Sequence, residues 1–224
     1  MTHAELVSRR RHLAIGLVAL SALLFVAGLM AGSEGWSVTS LWGPDAGLIV
    51  GEIRAPRTLG AWLVGALLGL AGAVAQGLFR NPLADPYLLG SASGASLCVV
   101  LVLAGSALAG HGVSLAAADL LARAGLVLAA FAGALGGVLL TLLLSRGAQH
   151  TVRLLLAGVV VGVVLGAFGD LATMAAPEAL RGKQAFMLGS TGFLGWASVG
   201  LLAVGLALTL PLAWRLARGS VWLQ

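Results

Sequence analysis

Charge is what this chain has least of. Only 9% of its 224 residues are Asp, Glu, Lys or Arg, where soluble domains carry about 25%. With a mean hydropathy of +1.03, that scarcity excludes an ordinary water-soluble fold. Cysteine is nearly absent too. Cys98 stands alone in an apolar run, so no disulfide forms within the chain and the residue reads as a small packing group. One Cys and four dispersed His build no closed metal site, so no metal or other cofactor is expected. No G-x-x-x-x-G-K-[ST] pattern occurs, so the chain has no phosphate loop for ATP. Long basic runs are lacking as well. The net charge of +5 and the pI near 11 would suit nucleic acid, yet beyond Arg9-Arg10-Arg11 the cations stand singly. That triplet abuts an apolar run and reads as a topology signal, so nucleic acid is not an expected partner.

What the chain does have is apolar length. Six stretches long enough to cross a bilayer fall near residues 13–32, 58–79, 88–110, 121–144, 154–176 and 197–213, and membrane lipid is the first partner they imply. Helices satisfy their backbone internally in lipid, and no alternating segments of barrel type appear. The expected fold is therefore all-α, a polytopic helical membrane protein with one transmembrane domain over 1–224. Arg9 to Arg11 also suit the start of a cleavable signal, but the run from Leu13 to Gly32 is too long for one, which favours an uncleaved first span. Glycine is plentiful, with 33 residues, and it recurs inside spans at Gly65, Gly69 and Gly72, at Gly133, Gly136 and Gly137, and at Gly158, Gly162, Gly166 and Gly169. Spacings of three and four gather these on helix faces, where small residues let backbones approach.

Charge orients the spans. With the N-terminus inside, the inner segments hold eight of the thirteen basic residues, among them Arg80, Arg146 and Arg153, and only the acids Glu5 and Asp85. The five outer cations are balanced by outer acids. Cytoplasmic termini follow from the positive-inside rule.

The stretch "RNPLADPYLLG" at 80–90 then falls at the inner turn between the second and third spans. Pro82 and Pro86 stop helices and stiffen the connection. Asn81 and Asp85 supply oxygens for free backbone N–H groups at the helix ends. A well-capped hairpin accounts for every residue in it. The adjoining "GSASG" at 90–94 resembles a serine-hydrolase site only superficially. His3, His12, His111 and His150 all lie in expected tails or loops, so no base is placed to activate a serine, and the nucleophile-elbow spacing is not met.

Read together, residues 51–96 strongly resemble the FecCD family of ABC-transporter permeases, membrane subunits that import iron-siderophores, haem and cobalamin. The matching elements are "RAPR" at 54–57, the Gly65/Gly69/Gly72 helix, Gln76, "RNPLADP" at 80–86 and "LLGSASGA" at 88–95. "RLLLAGVVVG" at 153–162 and "FMLGSTGFLGW" at 186–196 add to it, with phenylalanine at 186 where the family often has tryptophan. The resemblance implies a permease of about ten spans. This chain ends just after the sixth, before the cytoplasmic segment that couples to the ATPase, so it reads as the front portion of such a permease, incomplete at the C-terminus. A complete six-span protein is the alternative. As it stands, the chain is not expected to stimulate a partner ATPase.

The resemblance also implies roles for particular residues. Arg54 and Arg57 would pair with glutamates on a substrate-binding protein; without it they read as interfacial arginines that snorkel. Thr151 would lie at an inner gate, and as a small polar residue at a helix start it equally suits an N-cap. Asp170, an acid within a span, either faces a cavity or sits exposed at the outer interface. Gln76 fits interhelical hydrogen bonding better than substrate contact. Arg80, Asn81, Pro82, Asp85, Pro86, Gly90 and Gly94 form the structural turn. The expected function is that of a non-enzymatic transport subunit in a bacterial cytoplasmic membrane, carrying an iron(III)-siderophore first, cobalamin or haem as alternatives. Its expected partners are a second permease copy, cytoplasmic ATP-binding subunits and a periplasmic substrate-binding protein. A six-span passive channel or scaffold is the competing class.

Overall fold

The computed structural model describes residues 3–32, 35–36, 46–109, 120–146, 151–192 and 194–221. His111, His150 and Phe193 lie outside them. Seven α-helices run along the described chain: α1 (His3–Met30), α2 (Ala55–Phe79), α3 (Ser91–Leu108), α4 (Leu120–Leu144), α5 (Thr151–Ala175), α6 (Glu178–Leu188) and α7 (Trp196–Val221). A two-residue antiparallel pair, Ala31–Gly32 with Gly35–Trp36, is the only extended pairing among the described residues. Among the described residues, six helical stretches are long and apolar enough to span a bilayer: Arg11–Met30, Gly47–Phe79, Ser91–Leu108, Ala124–Leu144, Thr151–Ala175 and Trp196–Ala217. The chain is thus an all-α polytopic membrane protein.

Two boundaries differ from the sequence reading for physical reasons. The second span begins at Gly47, because a π-helical segment over Gly47–Arg54 runs straight into α2. Ala55 N–H donates to the Val50 carbonyl across that join. The third span begins only at Ser91, because a short 3-10 turn over Pro86–Leu89 and a left-handed Gly90 come first. An additional short helix, α6, lies outside the six spans. Its start is legible in hindsight: Pro177 precedes Glu178, an acid in the first turn.

The chain forms two compact units, one of Met1–Leu68 with Thr191–Gln224 and one of Gly69–Ser190. In the second, α3 packs against α4, α5 and α6. One buried cluster joins Val99, Leu103 and Ala104 to Leu126, Ala176 and Ala179. The other joins Ala75, Phe79 and Ala84 to Leu154, with Leu88, Leu89 and Leu142 packed on it. The first gathers the end of α3, the start of α4, the residue just past the end of α5 and the start of α6. The second gathers the end of α4 and the start of α5 with the turn that leads into α3, so α4 runs antiparallel to both α3 and α5, with a cluster at each end.

Between the clusters the helices touch backbone to backbone. A Cβ on Gly94 would collide with the Gly133 carbonyl oxygen, and one on Gly158 with that of Leu88. Glycine costs a helix about 1 kcal/mol relative to alanine. Here that loss is offset by close approach, the way membrane helices gain packing where water drives nothing together. Large exposed side chains such as Leu128, Phe131 and Val163 face outward from this unit, as lipid-facing positions do.

In the first unit the C-terminal half of α1 meets α2. The Trp62 indole N–H donates to Ser21 Oγ at 2.6 Å, and Gly28 lies against Thr58. No residue of the apolar part of α1 is buried.

Candidate functional site

The turn at 80–90 is built as two linked caps. At the end of α2, Asn81 N–H donates to the Gln76 carbonyl at 3.2 Å and Arg80 N–H to that of Gly77 at 3.4 Å. This paired pattern is a Schellman closure with Arg80 in the C′ position, where the backbone turns left-handed, φ 47°. Asn81 Oδ1 accepts from Leu83 N–H at 2.9 Å, and Asp85 Oδ1 accepts from Tyr87 N–H at 2.7 Å. Asp85 therefore caps the 3-10 turn rather than α3 itself. The cap of α3 is Gly90, at φ 74°, whose side contributes no oxygen. A Cβ there would stand 3.0 Å from Val161 Cγ1 as well as being strained. Pro82 is exposed and Pro86 opens the 3-10 turn.

This turn is fastened to α4 by a residue the sequence reading missed. Thr141, fully buried, donates from Oγ1 to the Leu89 carbonyl at 2.9 Å. A lone hydroxyl inside "LLTLLL" was the available signal, because a polar group in a lipid span needs a partner. Close by, Gly137 of α4 faces the Gly90 carbonyl and Gly94 faces Gly133. The "GSASG" run thus serves packing, as its small residues suggest.

The remaining candidates are spread out. Thr151 is the first residue of α5 and is half-buried; Gln76 is exposed on the last turn of α2. Both neighbour the cluster of Phe79 and Leu154. Asp170 lies near the other end of α5. Its Oδ1 pairs with Lys183 Nζ of α6 at 2.6 Å, the Asp side chain 73% exposed and the Lys side chain only 16%. The acid in the span is thus neutralised by a cation from the short helix that follows it.

In the other unit, Arg54 is half-buried and its Nη1 donates to the carbonyls of Leu29 and Met30, at 3.1 and 3.3 Å. A guanidinium at the last carbonyls of α1 satisfies orphan acceptors and complements the helix dipole. Arg57 is exposed, and its Nη2 donates to the Gly192 carbonyl at 2.9 Å. Neither arginine is a loosely snorkelling side chain. Trp196 Nε1 donates to the Gly51 carbonyl at 3.1 Å, tying the start of α7 to the π-helical segment.

The model of the FecCD transport family matches residues 16–223. The chain belongs to that family. Among relatives of this FecCD-family chain, the vitamin B12 import system permease protein BtuC of Serratia proteamaculans is 38% identical over 98% of this chain and 62% of its own length. BtuC of Shigella boydii is 38% identical over 88% of this chain and 58% of its own. The chain therefore spans about three-fifths of the length of these curated relatives. A solved inward-facing ABC transporter, assigned to the metal-chelate type, matches 92% of this chain and 63% of its own with a TM-score of 0.72 at 26% identity.

Proposed function

We propose that this chain is a portion of the membrane-spanning permease subunit of a bacterial ABC importer of metal chelates, with cobalamin as the favoured cargo. The observation that carries the reading is the 38% identity to vitamin B12 permeases across 98% of the chain. Iron(III)-siderophore import is the second reading, supported by the likeness to the metal-chelate type transporter. In this reading the chain performs no covalent chemistry. Hydrolysis of ATP belongs to cytoplasmic subunits, a second permease copy completes the path, and a periplasmic binding protein delivers the cargo. The chain sits in the cytoplasmic membrane with its N-terminus inside, as the excess of inner arginines supports.

The geometry suits such a role. Backbone-on-backbone packing of α3, α4 and α5 makes a stiff unit, the kind of body that alternating access moves as a whole. Gln76 and Thr151 are assigned to the inner end of the path, and the Asp170–Lys183 pair to its outer end. For docking, Arg57 is the stronger candidate: it is exposed, and among the described residues its Nη2 alone is engaged, by the Gly192 carbonyl. Arg54 is assigned chiefly to holding the end of α1.

The test is complementation. The gene's whole reading frame, expressed with a cognate ATP-binding subunit and binding protein in a bacterium lacking its own cobalamin permease, should restore uptake of labelled cobalamin. Uptake of a ferric siderophore without cobalamin would move the cargo to the second reading. Neither uptake, with all subunits in the membrane, would overturn the importer.

A further inference from the structure

Helix α1 starts at His3, eight residues before its apolar part, Arg11–Met30, in which no residue is buried. Lipid therefore meets this span from its first turn. Arg9, Arg11 and His12 stand at that boundary with exposed side chains. Neither guanidinium makes a hydrogen bond or ion pair among the described residues. His12 Nδ1 lies 2.8 Å from the Ser8 carbonyl oxygen. A carbonyl only accepts, so Nδ1 carries the proton and Nε2 is the nitrogen left for a ligand.

These groups share one side of the helix. At about 100° per residue, Arg11, Ser8, His12 and Arg9 follow one another around about 160° of its circumference. Ser8, Arg9 and His12 line a shallow groove with Glu5, which stands about 10 Å further from the apolar run than His12 does. One turn into the span the same arc carries Ile15 and Gly16. Ile15 is 56% exposed, and no described atom lies within 4 Å of a Cβ built on Gly16. A topology signal asks only for cations in number. It asks neither for a histidine held by one nitrogen nor for an open apolar strip directly above the cations.

We infer that this arc of α1 binds the headgroup of an anionic phospholipid, with the phosphate between Arg9 and Arg11 and an acyl chain along Ile15 and Gly16. Guanidinium forks match phosphate oxygens, and Nε2 adds a donor when it is protonated. Phosphatidylcholine offers a phosphate as well, but its own cation would stand among the arginines. An acidic protein would leave Leu13 and Ile15 without apolar cover, whereas a phospholipid covers both kinds of group at once. The inference rests on α1 as a span and holds for either orientation of the chain. Its failure leaves the importer reading untouched.

The test uses the full chain in nanodiscs holding a photoactivatable phosphatidylglycerol or its phosphatidylcholine counterpart, with crosslinked peptides mapped. Phosphatidylglycerol should label 8–16 preferentially. Labelling there should fall about fivefold for each of Arg9→Gln and Arg11→Gln, and about threefold for His12→Leu. A fourth variant joins both arginine changes to Thr2→Lys and Ala4→Lys, which restores the charge of the tail and so its pull on orientation, but away from the arc. It should lose labelling as the double arginine variant does. Equal labelling by the two lipids, or this displaced-charge variant labelled like the parent, would overturn the inference and leave Arg9 and Arg11 as a topology signal alone.

Discussion

A Cβ added to Gly94 of α3 would strike the carbonyl oxygen of Gly133, and one added to Gly158 of α5 would strike that of Leu88. One added to Gly65, Gly69 or Gly72 of α2 would meet no described atom within 4 Å. Both sets have helical spacing and both sit in apolar spans. Spacing puts small residues on a face; only a neighbour on that face turns them into a seam. Gly136 and Gly137 make the point within one dipeptide, since the first is open and the second lies under the Gly90 carbonyl.

The largest effect should come from the seam. Gly94→Ala places a methyl group against a carbonyl oxygen that belongs to another helix backbone, so relief requires α3 and α4 to separate. We expect a loss of ~3 kcal/mol, well above the gain in helix propensity from alanine. Thermal unfolding in nanodiscs measures it, and a melting temperature equal to the parent's would mean the seam is looser than described.

Thr141→Val should come next. The substitution keeps the shape but leaves the buried Leu89 carbonyl without its donor, at a cost of ~1.5 kcal/mol. Thr141→Ser should recover most of it, and a valine variant as stable as the parent would show the bond to be dispensable. The Asp170–Lys183 pair ranks lower. Because the Asp side chain is 73% exposed, a double-mutant cycle with Asp170→Asn and Lys183→Met should give a coupling under ~1 kcal/mol. A larger coupling would place the pair in a drier setting than its exposure indicates.

The contrast between regions also marks how far the sequence could be read. Spans are legible because lipid imposes apolar length on every crossing, and five of the six expected stretches lie within a few residues of the helices seen. The second was read short since Glu52, Arg54 and Arg57 interrupt its apolar run while the backbone stays helical. The turn at 80–90 was legible in kind: Asn81 and Asp85 do cap backbone N–H groups. Their partners were not, because whether Asp85 serves a 3-10 turn or α3 depends on a left-handed Gly90 between them. Long-range pairs were out of reach. Nothing local ties Lys183 to Asp170, Thr141 to Leu89 or Arg54 to the end of α1; each needs the helices packed first. Motif resemblance reached the family, where composition alone reached only a helical bundle.

The smallest expected effect sharpens the comparison most. With no described atom within 4 Å of a Cβ at Gly69, Gly69→Ala should change stability only through helix propensity, a gain no larger than ~0.5 kcal/mol in lipid. Measured beside Gly94→Ala in the same nanodiscs, it separates a face that is covered from one that merely looks coverable. A loss at Gly69 comparable to that at Gly94 would mean that this face of α2 is covered by something beyond the described residues. Repeating the pair in the assembled importer would then show whether that cover belongs to the chain itself or arrives with a partner, since a loss confined to the assembly assigns it to the partner.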